Sequence, residues 1–263
     1  MKILNTDSIK NELINELEKT YIDSTLHILS MNPGQAENAY KSYIIKRCQE
    51  FNIKYDDKEF LTTTTKEEIL AYTNQFTNKD GFIILLPFND FVSLDYLREN
   101  IRLSDLDGFT YISQARAING DYYALPATPK AVAKFIEKHS SIEAKNIVIA
   151  NRSNLIGIPL ASYLSKKGAT TTIINSKTKN SKEIIKNADI FISAIGKADY
   201  YDKSFFKEGQ LLIDVGTSEV NGKIKGDINL ESLEDLDLEL LTYKKGIGAI
   251  TTLILLQTMI EKR

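Results

Sequence analysis

The chain has 263 residues, 43% of them hydrophobic, with a formal net charge of −2, enough to bury a sizeable core in two lobes. There is no basic excess to hold nucleic acid and no acidic run of the kind that keeps a segment unfolded. The single cysteine, Cys48, excludes an intrachain disulfide framework and points to a reducing compartment, and His27 and His139, far apart and without cysteines beside them, argue against a zinc site.

No stretch approaches the roughly 20 apolar residues of a membrane helix, and the first residues carry no signal-peptide core, so a cytoplasmic protein is expected. Thr6, Asp7 and Ser8 followed by Ile9, Leu13, Ile14 and Leu17 predict a capped amphipathic helix. Leu26 to Ser30 reads as a short strand, with His27 as a wall residue. After Asn32-Pro33-Gly34 comes a helix over Gln35 to Phe51, with Tyr40, Tyr43, Ile44 and Arg47 on or near one face. A strand from Lys54 and a helix from about Thr65 to Gln75 follow, the latter with Glu67 and Glu68 in its first turn. Gly81 to Pro87 is a buried strand ending in a loop. Asp105-Leu106-Asp107-Gly108-Phe109, taken alone, is an Asp-Gly turn, and Leu125 to Pro129 leads into a helix over Lys130 to Lys138.

The chain is organised around Asn146 to Gly196. An apolar run, Asn146 to Ala150, passes through the polar turn Asn151-Arg152-Ser153-Asn154 into a helical pattern with Gly157 near its start. Pro159 fits only a first turn, and Gly168 stands where a left-handed cap belongs. Thr170 to Ile174 then reads as a second, parallel strand. Strand, turn, helix and strand in that order form either a dinucleotide site or an ordinary βαβ crossover. The dinucleotide reading puts a pyrophosphate on the N–H groups of the helix start. Gly157 allows close packing of helix and strand, and Asn151 serves as a turn residue tolerant of positive φ. The second strand ends in Asn175-Ser176-Lys177, with no acid to take a ribose 2′-hydroxyl, and Arg152 adds a cation, so NADP is favoured over NAD.

Ala188 to Gly196 and Gln210 to Gly216 are two more buried strands, with Gly196 and Gly216-Thr217 at their carboxyl ends, where an open parallel sheet meets its ligand. Val220 to Lys223 has the composition of a hairpin turn. Tyr243 to Thr251 is a glycine-containing loop, and Ile250 to Ile260 is an apolar helix that closes the chain.

The runs 151–160 (Asn-Arg-Ser-Asn-Leu-Ile-Gly-Ile-Pro-Leu) and 175–178 (Asn-Ser-Lys-Thr), together with Ala188-Asp189, Ala194 to Lys197 and Ile213 to Gly216, fall in order. As a set they resemble the methylenetetrahydrofolate dehydrogenase/cyclohydrolase family, FolD type, over nearly the whole chain. The resemblance implies an α/β chain with an N-terminal α/β folate-binding lobe, residues 1–128 plus 249–263. Residues 129–248 would be a Rossmann-like, doubly wound parallel-sheet NADP domain. It implies a homodimer, a tetrahydrofolate derivative as substrate and oxidation of methylenetetrahydrofolate with NADP. Tyr40 is implied as a catalytic and folate-binding residue, with Asp107, Pro129 and Gly246 also at the folate. Asn151, Arg152, Ser153, Gly157, Ser176, Gly196 and Thr217 are implied at the cofactor, and no metal is involved.

Three departures from the family pattern cluster on the folate side. The catalytic Lys one turn after Tyr40 is Ile44, the Gln before Leu-Pro is Leu85, and a Pro-Gly pair is Lys244-Lys245. Lys41 and Lys46 point elsewhere on a helix of 3.6 residues per turn. The expectation is a dehydrogenase with weak or lost cyclohydrolase activity. The alternatives are an NADP-binding relative without catalysis and an oxidoreductase with a different substrate.

Overall fold

The computed structural model describes residues 1–77 and 79–261. Its strands are β1 (Lys2–Leu4), β2 (Thr25–Met31), β3 (Lys54–Phe60), β4 (Gly81–Leu85), β5 (Ser104–Asp105), β6 (Asn146–Ala150), β7 (Thr170–Ile174), β8 (Ile190–Ser193), β9 (Leu211–Asp214), β10 (Thr217–Val220), β11 (Lys223–Gly226) and β12 (Glu239–Leu241). Its α-helices are α1 (Asp7–Lys19), α2 (Gln35–Glu50), α3 (Lys66–Thr73), α4 (Leu94–Asn100), α5 (Tyr111–Ile118), α6 (Ala127–His139), α7 (Gly157–Lys166), α8 (Ser181–Lys186) and α9 (Thr251–Glu261). They fall into two compact units.

One unit, residues 12–117, 123–127 and 252–261, holds a four-stranded sheet in the order β3-β2-β4-β5, every pair parallel. β2 and β4 are buried nearly throughout because strands inside a parallel sheet are covered on both faces. Leu29, Phe82, Leu97 and Ile69 are core residues with under 1% exposure. α3 starts in a capping box: Thr65 Oγ1 accepts from the Glu68 N–H, and the Glu68 carboxylate accepts from the Thr65 N–H at 2.8 Å.

The other unit, residues 1–11, 118–122 and 128–251, is built on a six-stranded parallel sheet in the order β1-β12-β9-β8-β6-β7. β7 and β8 lie on opposite sides of β6, so the winding reverses there. That is the topological switch point, where open α/β sheets bind ligands outside the strand carboxyl ends. α7 closes with Gly168 at φ +89°, the left-handed cap its position predicted. β10 and β11 form an antiparallel hairpin whose turn residues Asn221 and Gly222 both have positive φ.

Two expectations change. Met1–Asn11 belongs with the six-stranded sheet and not with the rest of residues 1–128, because β1 pairs with β12. Thr6 does not cap α1 with its hydroxyl: Thr6 Oγ1 donates toward the carbonyls of Lys245 and Gly246, and Asn5 Oδ1 takes the Asp7 N–H instead.

Candidate active site

The carboxyl ends of β6, β7 and β8 border a cleft of about 520 Å³, lined by Asn151, Arg152, Ser153, Ser176, Lys197 and Tyr200 among others. That volume is ordinary for a small-molecule site. Arg152 and Lys197 put two cations on its walls, and β7 ends in Asn175 and Ser176 with no carboxylate.

Asn151 organises the turn, though not through a left-handed backbone as its sequence position predicted, for its φ is not positive. Its side chain does the work. Asn151 Nδ2 donates to the Ala194 carbonyl at 2.7 Å, tying the turn after β6 to the loop after β8. Asn151 Oδ1 accepts from the Ser153 N–H at 2.8 Å and the Gly157 N–H at 3.0 Å, while Ser153 Oγ accepts from the Ile156 N–H. Several donors of the helix start are therefore already satisfied within the turn. The N–H groups of Asn154 and Leu155 have no acceptor among the described residues. Gly157 is buried behind this turn, outside the cleft lining, and a Cβ there would overlap the Asn151 carbonyl. Its absence of a side chain is what lets the helix approach the strand.

Gly196, at φ +63°, lies next to Thr217: a Cβ on Gly196 would stand 3.7 Å from the Thr217 carbonyl oxygen. Neither residue lines the cleft. The loop carrying Gly196 is held by a residue to which sequence reasoning gave no role, Asp227. This fully buried carboxylate accepts from Ser193 Oγ at 2.6 Å, the Ile195 N–H at 2.8 Å and the Lys197 N–H at 2.8 Å. Asp214 lies beneath it, accepting from the N–H groups of Asp227 and Ile228 at 3.0 and 3.2 Å. Burial, reinforced by the Asp227 and Asp199 carboxylates, pushes the Asp214 carboxyl up to about 7 against the pull of those two N–H groups. The Gly-Asp pair at 226–227, just after the hairpin, was the available signal for Asp227. The doubled aromatic Tyr200-Tyr201 was the signal for Tyr200.

In the other unit, α2 carries Tyr40, half-buried, and one turn later Ile44, fully buried. Burial and the nearby Asp107 carboxylate hold the Tyr40 phenol well above its ordinary range, so it keeps its proton. Asp107 Oδ1 accepts from the Ala127 N–H at 2.8 Å at the start of α6. Asp105 braces the same loop through the Asp107 N–H and through both the N–H and the hydroxyl of Thr110. Leu85 closes β4 and is 7% exposed. Lys41 cannot serve beside Tyr40, because its ammonium lies 3.2 Å from Asp57 and 3.7 Å from Glu59 on β3. Lys46 faces solvent, as does Tyr43.

Pro129 sits in the first turn of α6, buried. Gly246 is buried against the Thr242 carbonyl with no room for a side chain, and its own carbonyl accepts from Thr6 Oγ1. Both belong to the unit of the six-stranded sheet.

Residues 126–263 match the family model for the NAD(P)-binding domain of tetrahydrofolate dehydrogenase/cyclohydrolase. The chain is also 33% identical over 260 residues to the bifunctional protein FolD of Halalkalibacterium halodurans, covering 97% of this chain and 93% of that one. The chain belongs to the tetrahydrofolate dehydrogenase/cyclohydrolase family. A FolD from Clostridium novyi is 36% identical over 221 residues, covering 82% of this chain and 80% of its own. The solved structure of the bifunctional FolD enzyme of Campylobacter jejuni superimposes with a TM-score of 0.92 at 28% identity, over 100% of this chain and 98% of that one. The switch-point cleft lies within the residues that match the NAD(P)-binding domain model, and Ile44 and Leu85, in the other unit, are apolar and buried.

Proposed function

We propose that this chain is an NADP-dependent methylenetetrahydrofolate dehydrogenase of one-carbon folate metabolism whose cyclohydrolase activity is weak or lost. The burial of Ile44 and Leu85, on the same unit as Tyr40 and Asp107, carries the reading. Hydride transfer from the bridging methylene is driven by the lone pair of a folate nitrogen and asks mainly for alignment of two carbons. Hydrolysis of the methenyl product asks for an oriented or deprotonated water, and loss of that general acid/base costs about 10²- to 10⁴-fold.

The cleft residues fit the cofactor. The N–H groups at Asn154 and Leu155, without an acceptor among the described residues, suit phosphates, and Ser153 braces that turn, its hydroxyl donating to Asn151 Oδ1 and accepting from the Ile156 N–H. The absence of an acid after β7, with Arg152, Ser176 and Lys177 nearby in the fold or the chain, suits a 2′-phosphate over a free hydroxyl. When bound, the nicotinamide supplies the hydride acceptor. Asn151 and Gly157 shape the turn, and Gly196 and Thr217, outside the cleft lining, are assigned to the nicotinamide end by resemblance.

On the folate side Asp107 accepts from the amino-pyrimidine edge with its carboxylate, one oxygen of which the Ala127 N–H orients. Tyr40, kept protonated, acts as a hydrogen-bond donor and not as a base. Pro129 and Gly246 are assigned to the folate by resemblance, as are the homodimer and the division into folate and NADP domains. A cytoplasmic setting rests on the single reduced cysteine, and among the described residues no helix is long and apolar enough to cross a membrane.

A second reading, an NADP-binding relative with another substrate or with none, draws on Lys244 and Lys245, both exposed, where the family has Pro-Gly. The test supplies purified protein with methylenetetrahydrofolate and either NADP or NAD. The first reading predicts NADPH formation with NADP clearly preferred. Cofactor binding without reduction of either nucleotide moves the chain to the second.

A further inference from the structure

Tyr200 and Tyr201 are neighbours in the loop after β8 with opposite fates. Tyr201 is 5% exposed and packs edge-on against Phe191 in the core, whereas Tyr200 is 49% exposed on the cleft wall. Tyr200 is steadied from behind, with Tyr201 edge-on at 4.8 Å and Phe205 tilted at 6.3 Å between ring centres. Its face meets the Lys197 ammonium 5.5 Å from the ring centre. Lys197 lines the cleft as well. Half of a large aromatic side chain is thus left outside the core, held in place and turned toward a nucleotide-sized space.

The position along the sheet says which part of a dinucleotide it meets. The cleft runs from the end of β7, which takes the adenosine ribose, across the turn after β6, which takes the phosphates, to the loop after β8. The base next to that ribose lies between the β7 end and the β8 loop, where Ile174, Ser181 and Tyr200 line the wall. Every base has a π-face, and an aromatic side chain that stacks on one contributes affinity without reading hydrogen bonds.

We propose that Tyr200 is the stacking platform for the adenine of the cofactor. A base seated there displaces the Lys197 ammonium, whose four-carbon stem lets it turn to the adjoining phosphates. The proposal rests on the nucleotide reading of the cleft.

The test is calorimetric binding of NADP, 2′,5′-ADP and nicotinamide mononucleotide to the wild type, Tyr200→Ala and Tyr200→Phe. Tyr200→Ala is expected to weaken NADP and 2′,5′-ADP by about 5- to 100-fold, leave nicotinamide mononucleotide unchanged and keep the Tm. Tyr200→Phe is expected to bind all three like the wild type. Unchanged 2′,5′-ADP binding by Tyr200→Ala, with the wild type binding NADP, overturns the stacking role alone. Equal weakening of nicotinamide mononucleotide also overturns it, since the effect would then not belong to the adenine. Failure of the wild type to bind NADP or 2′,5′-ADP overturns the nucleotide reading together with this inference.

Discussion

The carboxylate of Asp214, at the end of β9, accepts from the backbone N–H of Asp227 at 3.0 Å, and Asp227 in turn holds the cleft loop through Ser193, Ile195 and Lys197. Two buried acids stacked in this way couple the return from the β10–β11 hairpin to the wall of the cleft. Glycines make room for both: a Cβ on Gly216 would overlap the Asp227 carboxylate, and one on Gly226 would overlap that of Asp214.

The pair makes stability depend on pH. Asp214 has a carboxyl raised in the folded protein from an ordinary 3.8 to about 7. The fold therefore binds a proton there that the unfolded chain has released. Its contribution is fully present below the ordinary value and is lost as pH rises through about 7. Thermal unfolding from pH 5 to 9 is expected to show Tm falling through neutrality. Asp214→Asn, less stable at every pH because its amide nitrogen faces a backbone N–H, should flatten that fall. An identical slope in both proteins contradicts the assignment.

Gly157→Ala is expected to damage both stability and cofactor binding. The added methyl overlaps the Asn151 carbonyl, so the turn after β6 must open, at a cost of about 3 kcal/mol. The midpoint of denaturant unfolding should fall, with NADP affinity weakened in the folded fraction. A variant with wild-type stability would mean that the helix start is slack.

Lys245 stands at φ +51°, a position that the resemblance expects to be Gly. A non-glycine residue costs about 1–2 kcal/mol in that conformation, set against a weak exposed pairing with Asp7 at 3.9 Å. Lys245→Gly is expected to gain roughly 1 kcal/mol after the entropy glycine adds to the unfolded chain. Denaturant titration measures it, and a loss of stability would show that the lysine makes contacts worth more than its strain.

Ile44→Lys alone places an ammonium at a fully buried position and should lower stability by about 3 kcal/mol. Adding Leu85→Gln supplies a polar partner, the one that the resemblance expects there. The double variant should be more stable than the single one and should hydrolyse methenyltetrahydrofolate at least about tenfold faster than the wild type. No gain in hydrolysis would mean that the loss lies elsewhere in the site.

Much of the fold was legible because its signals are local. β6, α7 and β7 announce themselves by an apolar run, a proline confined to a first turn, a glycine cap at Gly168 and a β-branched run. Strand β1 was not legible: it is three residues long with only Leu4 buried, and its partner Glu239–Leu241 is more than two hundred residues away. At the cleft, the absence of an acid after β7 could be read directly. The work of Asn151 could not, because its amide reaches Ala194 at the end of the neighbouring strand β8, a contact that exists only once the sheet order is fixed. Asp227 escaped for the same reason, its three donors lying 30 to 34 residues earlier in the chain.

The most direct test of the central claim follows methenyltetrahydrofolate itself. Protein, NADP and methylenetetrahydrofolate are mixed, and NADPH and methenyltetrahydrofolate are recorded together; the methenyl compound is then supplied alone. The account predicts NADPH formation with methenyltetrahydrofolate accumulating, and decay of the added compound at its uncatalysed rate. Hydrolysis accelerated to keep pace with NADPH formation would contradict it, and would place a working acid/base group where Ile44 and Leu85 leave none.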